Sequence, residues 1–144
     1  YYNLWETTPT TAPPNRSQLW HRDHEDRAIA KAYVYLSDVT HDAGPLTYAS
    51  GTFAAGPLAN AAPEVFHEAD SGWPRSTDVQ MAAVVPEADW IIATGPIGTL
   101  VLADTAGYHK GGYATTTRRL LATWEWTTAA ACEGSRFHRG GPQP

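Results

Sequence analysis

Two side chains open the reading of this 144-residue sequence, His21 and Asp23 in the run Trp20-His21-Arg22-Asp23. In an extended segment, residues two apart project from the same face, so an imidazole nitrogen and a carboxylate oxygen can be offered to one point. A nitrogen and oxygen ligand set with open positions suits non-haem iron(II); the pair makes two thirds of a facial triad whose third member would be a histidine from elsewhere. Among six histidines, His109 is the candidate, in a glycine-rich turn after a short apolar run. A jelly roll brings such a distant residue back to the same mouth after several strands. A lone H-x-D is a weak signal that most often marks an ordinary surface pair.

Arg118 and Arg119 open the last predicted strand. A buried guanidinium there could clamp a carboxylate bidentately, and a metal beside an arginine suggests an acidic cosubstrate. Consecutive strand residues face opposite ways, so only one of the two can point inward. Lys31, Tyr33 and Tyr35 share one face of a strand and could line the same site, or the tyrosines could serve packing. His24, Glu25 and Asp26 read as solvated loop charges, and His41, His67 and His138 carry no assignment. Cys132 has no charged neighbours that would mark it as reactive.

These residues need a β-rich frame. Six tryptophans and seven tyrosines favour pleated, half-buried surfaces, and 12 glycines with 11 prolines interrupt the chain too often for long helices. Strands are predicted near residues 1–5, 30–39, 46–49, 88–94, 98–103 and 116–127, with 17–23 extended. The turn His41-Asp42-Ala43-Gly44-Pro45 predicts a hairpin between the second and third strands. Residues 51–82 form a long excursion without a sustained period, either a lid or substrate segment or a surface insertion. A single domain over 1–128 and a fraying tail over 129–144 complete the organisation.

Composition excludes some functions. A net charge of −5 argues against a broad nucleic-acid surface, and one cysteine excludes both a disulfide framework and a cysteine-based metal site. No apolar run approaches the ~20 residues of a membrane span and no signal peptide is visible, so a cytoplasmic protein is expected. The start at Tyr1, without methionine, is that expected of a piece of a longer protein.

The strings WHRDHED, YLSDV, GPLTYASGTF, GTLVLADTAGYHKGG and RRLLATWEW, in that order, resemble the phytanoyl-CoA dioxygenase-like family of iron(II)/2-oxoglutarate oxygenases over about residues 17–126. The resemblance implies a double-stranded β-helix (jelly roll, cupin-like). It implies iron(II) on His21, Asp23 and His109, and 2-oxoglutarate held at its distal carboxylate by Arg119 or Arg118, of which Arg119 is favoured. Thr99 could add a hydroxyl to that carboxylate, although a strand threonine more often serves structure. The implied reaction consumes dioxygen, releases succinate and carbon dioxide, and oxidises a small organic molecule. The carboxylate at Asp23 favours hydroxylation, because related halogenases carry a small residue there. Two departures stand out: Phe53 follows Gly51-Thr52 where the family often has a histidine, and members usually add helices before the first motif. The alternatives are a metal-dependent cupin-type enzyme that needs no 2-oxo acid, or a catalytically silent barrel acting as a binding module.

Overall fold

The computed structural model describes residues 2–67 and 72–129; Cys132, His138 and the tail from 130 onward lie outside the described residues. In chain order the elements are β1 (Tyr2–Thr7), β2 (Ile29–Tyr35), β3 (Leu46–Ala49), β4 (Phe66–His67), β5 (Pro74–Arg75), α1 (Asp78–Ala82), β6 (Trp90–Ala93), β7 (Leu100–Asp104), β8 (His109–Lys110) and β9 (Arg119–Thr127). A four-stranded antiparallel sheet runs β1-β9-β2-β7, and a three-stranded one runs β6-β3-β8. Strands β4 and β5 form a separate small pair. The architecture is a β-rich jelly roll, as the sequence led us to expect.

Alternation builds the large sheet. On β2, Lys31, Tyr33 and Tyr35 turn into a cavity between the sheets, and on β9 Arg119, Leu121, Thr123 and Glu125 do the same. The register sets Tyr33 opposite Thr123 and Lys31 opposite Glu125. The other face carries the exposed apolar residues Tyr2, Leu4, Leu100, Leu102 and Trp126. Beneath the inner face, Tyr35, Val39, Ala43 and Leu121 form one buried cluster.

The expected hairpin is absent. Strand β2 ends at Tyr35 instead of near residue 39, and both of its edges are occupied, by β7 and β9. With no free edge, the chain crosses to the other sheet: Val39 makes a single bridge to Gly95, residues His41–Ala43 form a 3-10 turn, and β3 pairs with β6 and β8. Gly44, at φ 74°, makes the final bend in the left-handed region open to glycine.

The 51–82 excursion carries a helix that its composition concealed. Thr77 accepts a hydrogen bond from the Gln80 amide, and the Gln80 side chain accepts one from the Thr77 amide, a capping box that starts α1. The helix brings Met81 into a second buried cluster with Trp20, Ala49 and Val85. Trp20 is fully buried, donates from Nε1 to Asp78 Oδ1 at 2.7 Å, and meets Trp90 edge-on at 4.7 Å between ring centroids. The excursion therefore holds in place the residue that precedes His21. Among the described residues, no helix is long and apolar enough to cross a membrane.

Candidate metal centre

His21 and Asp23 lie on a bridged segment instead of the expected continuous strand, because residues Arg16–Gln18 form a 3-10 turn. The Trp20 amide and carbonyl pair with Ser76, and the His21 amide and carbonyl pair with His109, each hydrogen bond at 3.0 Å. Two residues on, the Asp23 amide donates to the Thr105 carbonyl at 2.9 Å. The segment is thus pinned antiparallel to 105–109, with His21 and Asp23 on one face. His109 itself starts β8, where it lies opposite Tyr48 of β3.

This pairing sets the two imidazoles 4.4 Å apart between centroids, their planes tilted by 50°. His21 Nδ1 donates to the Leu19 carbonyl at 2.8 Å, and His109 Nδ1 to the Gly107 carbonyl at 3.0 Å. A carbonyl can only accept, so the proton sits on Nδ1 and each Nε2 presents a free lone pair. Asp23 Oδ1 lies 3.7 Å from His21 Nε2, and Asp23 Oδ2 lies 3.7 Å from His109 Nε2. One ligand atom from each residue falls within 4.8 Å of the others.

Burial sets the protonation states. His21 is 8% exposed and His109 4%. Desolvation, with His109 alongside, pushes the His21 imidazole down to about 3, and desolvation lowers His109 as well. For Asp23, burial favours the neutral acid, but with the His109 ring neutral the adjacent, hydrogen-bonded Lys31 ammonium opposes it and holds the carboxyl below its ordinary value. Lys31 Nζ lies 2.6 Å from Asp23 Oδ2 and 3.0 Å from Glu125 Oε2. Burial alone would lower Lys31, yet the Asp23 carboxylate raises it above its ordinary value. Two neutral imidazoles and one carboxylate are a donor set that a divalent cation can use without displacing a proton near neutral pH.

The triad opens into a cavity of about 390 Å³ that also contains Lys31, Tyr33, Tyr35 and Arg119. Arg119 is 7% exposed; its Nη2 donates to Thr7 Oγ1 at 3.1 Å, and its Nε is buried with no partner among the described residues. Arg118 points outward, 3.5 Å from Glu6 Oε1. Thr99 is not brought to the cavity. It belongs to the turn after Gly98, where its side chain packs beside Gly95 and its carbonyl accepts from the Tyr35 amide. Of the neighbouring charges, Glu25 reaches the cavity, His24 stacks on Trp73 at 3.6 Å, and Asp26 accepts from Thr128. Glu125 escaped the sequence reading, although period two from Arg119 assigns it to the same inner face.

No protein-family model and no curated protein matches this sequence. Among the solved structures that resemble it in fold are two non-heme enzymes. One is a non-heme monooxygenase, ThoJ, in its apo form, at TM-score 0.56 and 20% identity, covering 86% of this chain and 44% of its own. The other is a non-heme alpha-ketoglutarate-dependent carbocyclase, SnoK, from nogalamycin biosynthesis. It aligns at TM-score 0.57 and 16% identity, covering 99% of this chain and 58% of its own. The chain therefore spans about half the length of the structures it resembles.

Proposed function

We propose that this chain carries the metal and cosubstrate site of an iron(II)- and 2-oxoglutarate-dependent oxygenase acting on a small organic molecule. The observation that carries the reading is the convergence of one ligand atom each from His21, Asp23 and His109 within 4.8 Å, with both Nδ1 atoms held by backbone carbonyls and each Nε2 3.7 Å from an Asp23 oxygen. Three protein ligands on one side leave room for a chelating cosubstrate, which is the facial arrangement of non-haem iron(II). The two fold relatives are a non-heme monooxygenase and a non-heme alpha-ketoglutarate-dependent carbocyclase.

Each part of the site has a separate task. His21, Asp23 and His109 hold the metal. Arg119 takes the distal carboxylate of 2-oxoglutarate, using a guanidinium whose buried Nε is free to donate. Tyr33 and Tyr35 wall the space between the two, and a half-buried cavity of about 390 Å³ is within the size range of small-ligand sites. Iron(II), when bound, supplies the dioxygen chemistry that decarboxylates the 2-oxo acid to succinate and oxidises the substrate. Asp23 keeps a carboxylate ligand in place and so favours hydroxylation as the outcome.

Conversion of 2-oxoglutarate to succinate, measured with iron(II) and a panel of small-molecule substrates, tests the reading. Turnover that disappears with His109→Ala is expected. Triad-dependent iron binding without any consumption of 2-oxoglutarate would sink it in favour of a cupin-type enzyme that uses no 2-oxo acid. No triad-dependent iron binding would leave a silent binding module.

A further inference from the structure

The triad leaves one question of coordination undecided. Asp23 presents its two oxygens almost symmetrically, Oδ1 at 3.7 Å from one imidazole nitrogen and Oδ2 at 3.7 Å from the other. A carboxylate so placed can bind a cation through one oxygen or through both, since carboxylates coordinate in either mode. The two modes differ in consequence: in a six-coordinate site, two histidines and a one-oxygen carboxylate leave three positions free, whereas a two-oxygen carboxylate leaves two. A chelating 2-oxo acid together with dioxygen needs three.

Lys31 breaks the symmetry. Its ammonium lies 2.6 Å from Oδ2 of Asp23. It is itself held by a second carboxylate, because the β2–β9 register sets Lys31 directly across from Glu125 and their charged ends meet at 3.0 Å. The three side chains are 17%, 10% and 11% exposed for Lys31, Asp23 and Glu125. At that burial, charge-assisted hydrogen bonds hold geometry closely, and removing one partner leaves the next uncompensated. Neither Lys31 nor Glu125 is a candidate ligand, yet both line the cavity beside the triad.

We propose that Lys31, anchored by Glu125, is a positioning residue that claims Oδ2 of Asp23 and leaves Oδ1 as the single oxygen offered to the metal. The inference rests on the metal reading above and extends it to residues outside the triad. Its effect is to keep open the third position that the cosubstrate and dioxygen require between them. A purely structural ion pair would change stability and leave metal hydration untouched.

Manganese(II), added alone to the metal-free protein, provides a readout independent of turnover. Affinity and water-proton relaxation are measured for the wild type, Lys31→Met, Lys31→Arg and the double variant Lys31→Met/Glu125→Gln, the last also removing the Glu125 charge that Lys31→Met alone leaves without its ammonium. The expected result is loss of one exchangeable water of roughly three on an octahedral ion, a fall of about a third in relaxation enhancement, for Lys31→Met and for the double variant. Lys31→Arg should retain the wild-type hydration. Equal hydration in all four proteins, with binding still dependent on His21 and His109, would overturn the role of Lys31 alone. A wild type that takes up no manganese through the triad would overturn the metal reading and this inference with it.

Discussion

His21 and His109 face each other through a reciprocal pair of backbone hydrogen bonds, each amide donating to the other's carbonyl at 3.0 Å. That one bridge carries two imidazoles from distant parts of the sequence to a common point. It also aligns the backbone carbonyls of Leu19 and Gly107, each two residues upstream, to fix both ring tautomers. Ligand geometry here is thus written in the main chain, and side-chain substitution at the ligands tests it without dismantling the support.

His21→Ala, Asp23→Ala and His109→Ala are each expected to weaken iron(II) binding by more than the roughly 100-fold that loss of an outer-shell partner can cost. Anaerobic titration checks this. Retention of wild-type affinity by any one of the three would remove that residue from the ligand set.

The two arginines should separate cleanly. Arg119→Ala is expected to raise the dissociation constant for 2-oxoglutarate by at least about tenfold, about 1.4 kcal/mol. Arg118→Ala should leave it unchanged, since an exposed ion pair with Glu6 is worth about 0–1 kcal/mol to stability and touches nothing in the cavity. Calorimetric binding to the iron-loaded protein distinguishes them, and equal losses would contradict the inward assignment of Arg119.

The metal-free protein should lose stability in mild acid. In the folded chain the His21 imidazole is lowered from 6.5 to about 3, and His109 is lowered too. Below about pH 6.5 the unfolded chain therefore binds protons that the folded one refuses, so stability is full above that value and falls as pH drops toward 3. Asp23, lowered from 3.8 to about 2, adds a further loss as pH falls below its unfolded value. Melting midpoints between about pH 8 and pH 5 should decline, and less steeply in a His21→Asn/His109→Asn variant. A flat profile would contradict the burial of neutral imidazoles.

Gly112 tolerates no side chain. A Cβ there would land on the carbonyl group and Cα of Gly44, and one built on Gly44 would meet Gly112 C at 2.8 Å. Both obstacles are backbone, so Gly112→Ala is expected to cost at least the roughly 1–3 kcal/mol of an overpacked core. Urea denaturation measures it, and an unchanged midpoint would show that the two loops can separate freely.

Local pattern was readable in the sequence and long-range partnership was not. Lys31, Tyr33 and Tyr35 declare a common face through simple alternation, and His21 with Asp23 does so in the same way. The partner of β2 could not be read, because adjacency in sequence suggested β3 while the edges were already filled by strands near the end of the chain. Thr99 drew attention as a hydroxyl at the start of a strand, but the left-handed Gly98 turns the chain just before it. The capping pair Thr77 and Gln80 was visible in principle and was masked by the alanine- and proline-rich stretch around it. Glu125, between two tryptophans, was open to the same alternation from Arg119 that places it inward, and its register against Lys31 supplies the partner that alternation alone does not name.

The strand order β1-β9-β2-β7 has a kinetic consequence. No two neighbours in that sheet are consecutive in the chain, and the last strand sits between the first two. Neither β1 nor β2 can find this shared partner until residues 119–127 arrive, so the sheet closes late and its nucleus must join remote segments. Non-local pairing of this kind places refolding in the range of roughly milliseconds to seconds, and until then the two imidazoles have no frame to bring them together.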